Sequence, residues 1–331
     1  MLRCWDFSET SQTVSLLTPG RGLLRGLAKG ARRPKARFSG GFEPITRGQV
    51  LFFTKASTEL ATLTEWDLQE IYHHTRRELR AHLAALYFAD VTHHGLSPED
   101  PHPAVFLGLD AALHALADPG RVDAAALLFQ LVFLIHTGYE PRLEWAGADG
   151  DGDGDGDGAG AAGAGRSGSG GAAAAKKTGE RVGRGAAGDR DAAGDTSDVG
   201  AEVPGVTRRE MGGVVGFDAL RGAMTADPGP GGPGHHFRVR GSTARVLAAA
   251  ARAARSGGLA ENVGAEDEGA AMGGADSAGW RASFERVLGE VSEAADGDRA
   301  VLERGAALLS VYLRAIFDRE LPTRGAFFGR V

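Results

Sequence analysis

Residues 146–205, near the middle of this 331-residue chain, contain almost nothing that could build a hydrophobic core. They include 19 Gly and 15 Ala but no aromatic residue, Leu, Ile or Met. Because burial of so little apolar surface does not offset the entropy of ordering the backbone, the composition predicts disorder. The segment opens on five Asp-Gly repeats, but it lacks the closing Glu of a calcium loop, since the twelfth position is Ala162. Folded structure must therefore come from the residues on either side.

The first 64 residues have the pattern of a small β-barrel. Short apolar runs at 13–18, 23–28, 49–54 and 59–63 predict strands, and Gly- and Pro-containing turns separate them. These strands are too few for a β-sandwich, and they favour a small barrel of the OB type. OB barrels often bind oligonucleotides, but the fold alone does not establish a function.

A run of cations without any acid lies in the same region. Residues 1–64 contain ten Lys or Arg and four Asp or Glu, a net charge of +6, whereas the whole chain has −6. A basic end on an acidic protein predicts contact with a polyanion, although basic runs are often only a solvated surface. We expect phosphate contacts from seven side chains: Arg21, Arg25, Lys29, Arg32, Arg33, Lys35 and Arg37. Phe38, at the end of the run, is expected either to stack on a base or to anchor the loop.

Helical periodicity dominates the remaining ordered sequence. Thr64 is a plausible N-cap for a first helix, two more are predicted at about 104–117 and 122–137, and Asp298 is expected to cap the last one. An apolar stripe on that last helix is more often core than a binding groove. We therefore predict an α+β protein with an OB-fold DNA-binding domain at 1–64. An all-helical domain is expected at 65–145 and 206–331, with the disordered Gly/Ala/Asp-rich linker 146–205 between its two parts.

Several function classes find no support in the sequence. Phosphate-binding GxxxxGK[ST] loops, strand–GxGxxG–helix units and GxSxG elbows are absent, so we expect a protein that is not an enzyme. The longest apolar stretch, 124–135, is too short to cross a bilayer. The single cysteine, Cys4, excludes an intramolecular disulfide and fits a reducing cytoplasm, and the N-terminus lacks the apolar core of a signal peptide.

Three segments resemble the bacterial RecO family. Residues 5–18 (WDFSETSQTVSLLT) and 26–38 (GLAKGARRPKARF) are similar to its N-terminal domain, and residues 321–328 (LPTRGAFF) to its C-terminus. The resemblance implies a recombination mediator that binds single- and double-stranded DNA and anneals complementary strands. Implied partners are single-strand-binding protein, RecR and, indirectly, RecA. Arg314, Arg319 and Arg324 are candidates for docking the acidic tail of single-strand-binding protein.

The sequence departs from the family pattern in two places. Many members hold zinc with four cysteines, whereas this chain has only Cys4, and Gly216 stands where a cysteine is expected. A structural zinc site needs four Cys or His ligands at close spacing, so we expect no metal and no other cofactor. The first strand is either short or begins upstream of Met1. The alternative function is a helical protein–protein adaptor whose basic surface is incidental.

Overall fold

The computed structural model describes residues 1–34, 36–55, 58–144, 213–261, 263 and 274–329. The linker predicted at 146–205 lies outside these residues, and so does Lys35. The N-terminal part is a curled six-stranded sheet with the order β1-β2-β3-β6-β4, and β5 pairs with β6. Its strands are β1 (Arg3–Asp6), β2 (Gln12–Thr18), β3 (Gly22–Ala28), β4 (Phe38–Ser39), β5 (Thr46–Lys55) and β6 (Thr58–Ile71). This half-barrel confirms the predicted OB-type domain.

Bulges in the β5–β6 hairpin curl the sheet. The register shifts at three points along β5, one of them between Leu51 and Phe52, which pair with Glu65 and Leu63. Thr64 is the extra residue at that point, and its hydroxyl donates to the carbonyl oxygen of Leu51 at 3.0 Å. Each bulge bends its strand and increases the local twist, which closes the half-barrel.

The helix predicted to begin at Thr64 is therefore wrong. The strand β6 continues to Ile71, and the first α-helix begins at Leu79. Because the bulge at Thr64 inserts one residue, the alternation of buried positions changes phase between Leu63 and Trp66, and the two-residue period of a strand is lost from the sequence.

The inside of the half-barrel is a small apolar core of its own. It consists of Val14, Leu16, Leu24, Ala28, Phe42, Ala61, Leu63 and Trp66. At Gly26, a Cβ atom would lie 2.8 Å from the side chain of Leu63, so β3 approaches β6 too closely for any larger residue.

Seven α-helices follow or flank this sheet in the described residues. They are α1 (Leu79–Gly95), α2 (Pro103–Ala115), α3 (Val122–His136), α4 (Gly241–Ser256), α5 (Gly274–Ala294), α6 (Arg299–Phe317) and α7 (Arg324–Phe328). The side chain of Asp298 accepts from the backbone N–H of Ala300 at 2.9 Å, so the predicted cap of α6 is confirmed. The apolar stripe of α6 is core, as Leu309 and Leu313 are fully buried.

The helix α3 is the centre of the helical part. The segment Pro119–His136 is long and apolar enough to span a membrane by length and composition, yet α3 is buried among α1, α2, α4, α5 and α6. Two polar side chains of α3 are fully buried, and one of them, Asp123, pairs with Arg80 and Arg299. The other, Gln130, accepts from the Tyr87 hydroxyl at 3.0 Å and donates to the carbonyl oxygen of Ala306 at 3.1 Å. Satisfied hydrogen bonds make this amide tolerable in a core, so we describe α3 as a core helix.

A second sheet interrupts the region predicted as purely helical. Three short antiparallel strands, β7 (Val214–Asp218), β8 (Ala223–Thr225) and β9 (His236–Arg240), form it with β7 in the middle. The sheet packs on α4, and Phe217 meets Tyr312 of α6 edge to face at 5.7 Å. The sequence pattern does not predict these strands.

Candidate nucleic-acid interface

The predicted cations do not form one cluster; three of them follow the length of β3, whereas Arg32, Arg33 and Arg37 lie between β3 and β4. Arg21 lies in the turn before the strand, Arg25 points outward from its middle, and Lys29 follows its end, all three exposed. At about 3.3 Å per strand residue, Arg21 and Lys29 are about 26 Å apart. Arg21 therefore lies at the far end, where the backbone N–H of Glu99 donates to the carbonyl oxygen of Leu23.

The loop after β3 folds back on the turn between β1 and β2. The backbone N–H of Arg32 donates to the carbonyl oxygen of Thr10 at 3.1 Å, and that of Gly30 donates to the Ser11 hydroxyl at 3.1 Å. Gly30 has a φ of +66°, which favours glycine at the start of the loop. The guanidinium of Arg32 pairs with Asp6, whereas Arg33 is exposed. The loop is thus held in place and presents Arg33 to solvent.

Arg37 and Phe38 differ in what they offer a ligand. Arg37 is exposed and lines a surface groove together with Gln49, Leu51, Glu65 and Asp67. Two carboxylates in that groove offset its positive charge.

Phe38 instead packs inward. Its ring lies 5.3 Å from that of Phe42, which lies 5.5 Å from Trp66 in the barrel core. Of the two expected roles for Phe38, the geometry favours the anchor.

The sequence pattern did not indicate two exposed aromatic side chains. They lie on β1 and in the turn after it. Trp5 is 44 % and Phe7 61 % exposed. Across β1, β2 and β3, Trp5 pairs with Thr13, which pairs with Leu27. Two residues further along, Arg3 pairs with Ser15, which pairs with Arg25. Residues at these alternate positions share a face, so Trp5 and Arg25 lie on the same outer face of the sheet.

The C-terminal end of α1 borders this face with two histidines. His93 Nδ1 lies 2.9 Å from the Ser15 hydroxyl, and its ring lies 5.8 Å from that of Trp5. Burial, reinforced by the positive charges of Arg3, His94 and Arg25, lowers the pKa of His93 to about 4. Burial also lowers the pKa of His94, with Arg319 as the strongest charged contributor. Arg3 and Arg25 thus place positive charge near both imidazoles, and Arg319 adds to it at His94.

The three arginines predicted to bind a partner have different surroundings. Arg324 is only 5 % exposed; its Nε donates to the Ser310 hydroxyl at 2.9 Å, and it pairs with Glu320. Arg314 is exposed but also pairs with Glu320 at 2.9 Å. Arg319 is exposed near His94, which lines an apolar groove together with Phe133, Leu313 and Phe317. Arg319 is thus the best placed of the three to meet an acidic ligand.

The position expected for a zinc ligand does not suit a cysteine. At Gly216 in β7, a Cβ atom would lie 2.3 Å from the Thr225 hydroxyl oxygen and 2.4 Å from the carbonyl oxygen of Ala226. A four-cysteine site of the family type does not fit this chain, which has only Cys4.

A group of three metal-ligand types lies close to that strand. One potential ligand atom each of Asp218, His235 and His236 lies within 4.8 Å of the others. Asp218 Oδ1 already accepts from the backbone N–H groups of Leu220 and Arg221, and Oδ2 lies 3.7 Å from His236 Nε2. These contacts account for Asp218 as a carboxylate that fixes the turn after β7.

Two family models match the chain along the whole half-barrel and the first helices. Residues 1–72 match the model described as recombination protein O, N terminal, and residues 76–183 match recombination protein O, C terminal. The chain belongs to the RecO family. The N-terminal match ends one residue after β6, so it covers the whole half-barrel of this RecO-family chain.

Relatives in the RecO family are similar to parts of the chain. The DNA repair protein RecO of Salinibacter ruber is 39% identical over 116 residues, 35% of this chain and 45% of that protein. RecO of Moorella thermoacetica is 32% identical over 146 residues, 44% and 53% of the two chains, and RecO of Rhodopirellula baltica 33% over 141 residues, 43% and 52%. The chain spans about half the length of the curated relatives it matches.

Proposed function

We propose that this protein is a non-enzymatic DNA repair and recombination mediator that binds single- and double-stranded DNA and anneals complementary strands. One observation carries the proposal. Arg25, Lys29, Arg33 and Arg37 are all exposed along one barrel strand and its following loop, and no described carboxylate pairs with any of them. Membership in the RecO family, whose relatives are named DNA repair proteins, supports the same function.

The arrangement suits backbone contacts better than reading of bases. Together with Arg21, Arg25 and Lys29 spread over about 26 Å of an extended strand and match the repeating charge of a phosphate backbone. Such contacts supply affinity and position but no sequence choice. A site for non-specific binding is what a mediator needs, because it must accept any sequence.

Annealing by this surface needs no chemical fuel. Two strands repel each other through their phosphates, and a cationic surface lowers that repulsion by displacing condensed counterions. Base pairing then supplies the driving force, and loosely held backbones allow the duplex to leave. No catalytic residue is required for this activity.

For the partners, we infer a role with single-strand-binding protein, RecR and, indirectly, RecA, in the bacterial cytoplasm at the nucleoid. Arg319, beside the apolar groove of Phe133 and Phe317, is our candidate contact for the acidic tail of single-strand-binding protein. Arg314 is a weaker candidate because it already pairs with Glu320, and Arg324 is left out because it is buried.

A fluorescence annealing assay tests the proposal. Complementary oligonucleotides are mixed with and without a coat of single-strand-binding protein, and pairing is followed in time. We expect acceleration in both cases, and loss of acceleration on coated strands alone when Arg319 is replaced by Glu. DNA binding without any acceleration would overturn the mediator function, and absence of DNA binding would favour the protein–protein adaptor.

A further inference from the structure

Two large aromatic rings are exposed to solvent at the edge of the barrel. Trp5 is 44 % and Phe7 61 % exposed, although either ring could bury well over a hundred Å² in a core. Folding gains little from apolar surface left in water, so exposed aromatic pairs on one edge indicate a contact with a ligand.

The backbone around the two rings is well fixed. The N–H of Phe7 donates to the carbonyl oxygen of Ser11 at 3.0 Å, which closes the turn after β1. Trp5 is paired with Thr13 within the sheet and rests against the ring of His93. The rings therefore form a pre-arranged surface, and a ligand pays little to order it.

Positive charge surrounds this aromatic edge. Arg25 lies on the same outer face as Trp5, and the loop that carries Arg32 and Arg33 is bonded to the turn that carries Phe7. The acids nearby are Asp6, which pairs with Arg32, Asp90, which pairs with Arg3, and the exposed Glu9. Cations outnumber them, so the occupant must combine negative charge with flat apolar faces.

A single nucleic-acid strand has both properties. Its phosphates are anionic, and its unpaired bases stack on aromatic side chains irrespective of sequence. The bases of a duplex are already stacked on each other and cannot reach the rings. An apolar protein segment would also cover the rings, but the surrounding cations do not favour it.

We infer that Trp5 and Phe7 stack on unpaired bases of a single strand whose phosphates lie along Arg25, Lys29 and Arg33. This inference rests on the proposed DNA-binding function and adds to it a preference for single strands over duplex. The rings supply that preference, whereas the cations bind both forms.

Binding of a fluorescent oligothymidylate and of a duplex of equal length, each measured over a range of salt, tests the inference. The double variant Trp5→Ala, Phe7→Ala should bind the single strand about tenfold or more weakly, while its duplex affinity and salt slope stay unchanged. Tyr139→Ala is the matched control, because Tyr139 is a half-exposed aromatic residue outside the basic region. The single variant Trp5→Phe keeps a ring at the site and serves if the double variant does not fold. In this variant, quenching of tryptophan fluorescence by the oligothymidylate should disappear.

The outcomes separate this inference from the function on which it rests. If the wild-type protein binds neither DNA, the proposed function fails first. If the wild type binds but the double variant loses single strand and duplex equally, or loses neither, the stacking role is wrong. An unchanged DNA affinity would assign the aromatic edge to a protein partner.

Discussion

The hydroxyl of Tyr72 donates to Asp110 Oδ1 at 2.6 Å, across the junction between the half-barrel and the helices. Tyr72 follows β6, and Asp110 lies on α2 with 4 % of its surface exposed. Arg281 of α5 donates to the other carboxylate oxygen at 2.7 Å, and Arg47 of β5 lies at 3.6 Å. One buried carboxylate thus joins four elements. Burial raises the pKa of Asp110, but the hydrogen bonds from Tyr72 and Arg281 outweigh it and hold that pKa below its usual value.

Removal of this carboxylate should be severe for stability. Asp110→Ala leaves Arg281 and Tyr72 without their partner, whereas Arg47 keeps its ion pair with Glu70 at 2.7 Å. We expect a loss of about 3–5 kcal/mol in the free energy of unfolding. Tyr72→Phe removes one hydrogen bond to a charged group and should cost about 1.5–3 kcal/mol. Urea unfolding measures both, with Tyr139→Phe as a surface control expected to stay within about 0.5 kcal/mol of wild type. An Asp110→Ala variant as stable as wild type would show that the junction is held by apolar packing alone.

Stability should fall as pH decreases from 6.5 towards about 4, in part because of His93. Its pKa is lowered from 6.5 to about 4 in the folded protein, so within this window the unfolded chain binds a proton that the folded chain does not. The contribution of neutral His93 to the free energy of unfolding is complete above about pH 6.5 and is lost as the pH falls to about 4. Urea unfolding at several pH values should show a shallower dependence for His93→Gln than for wild type. His73→Gln, a change at an exposed histidine, should leave the dependence unaltered. Identical slopes for wild type and His93→Gln would contradict the assignment.

The strands that alternate in a regular way could be predicted from the sequence. In β2, Val14 and Leu16 face the barrel interior, and the structure has this strand within one residue of its predicted bounds. By contrast, only residues 59–63 of β6 were predicted, because the bulge at Thr64 breaks the alternation beyond them, and β8 was missed because it is only three residues long, Ala223–Thr225. Short or bulged strands are selected by their pairing partners, which a local pattern does not contain.

The residue types of the candidate site could be predicted from the sequence, but the surface that they form could not. The cations after β3 are obvious in the sequence, yet the pairing of Arg32 with Asp6 depends on how the loop folds back. Trp5 lies on the edge strand β1 and remains 44 % exposed although its ring contacts His93 at the end of α1. Exposure of an aromatic residue is a property of tertiary structure, so the sequence alone indicates Phe38, and not Trp5, as a candidate for base stacking.

A cysteine at Gly216 in β7, where the family zinc site would have one, should destabilise the hairpin of β7 and β8. Gly216→Cys puts a Cβ atom within 2.4 Å of two oxygen atoms, and overpacking of this kind typically costs about 1–3 kcal/mol. We also propose that the wild-type protein holds no stoichiometric zinc, so that chelator leaves its melting temperature unchanged. Elemental analysis and thermal unfolding check both statements, with Gly289→Cys, at an open position on α5, as control. One tightly bound zinc per chain would contradict the proposal and would point to Asp218, His235 and His236 as ligands.

The cations along β3 should set the salt dependence of DNA binding. On single strands, log K falls by about 0.7 per neutralised phosphate for each log unit of salt. The triple variant Arg25→Ala, Lys29→Ala, Arg33→Ala should therefore bind more weakly at low salt and lower that slope by about 2. The matched triple Arg221→Ala, Arg252→Ala, Arg286→Ala removes the same charge from exposed positions in the C-terminal region. Fluorescence anisotropy of a labelled oligonucleotide between low and moderate salt gives both slopes. If the two triple variants lower the salt slope equally, net charge alone explains the binding. In that case the DNA backbone does not lie along β3.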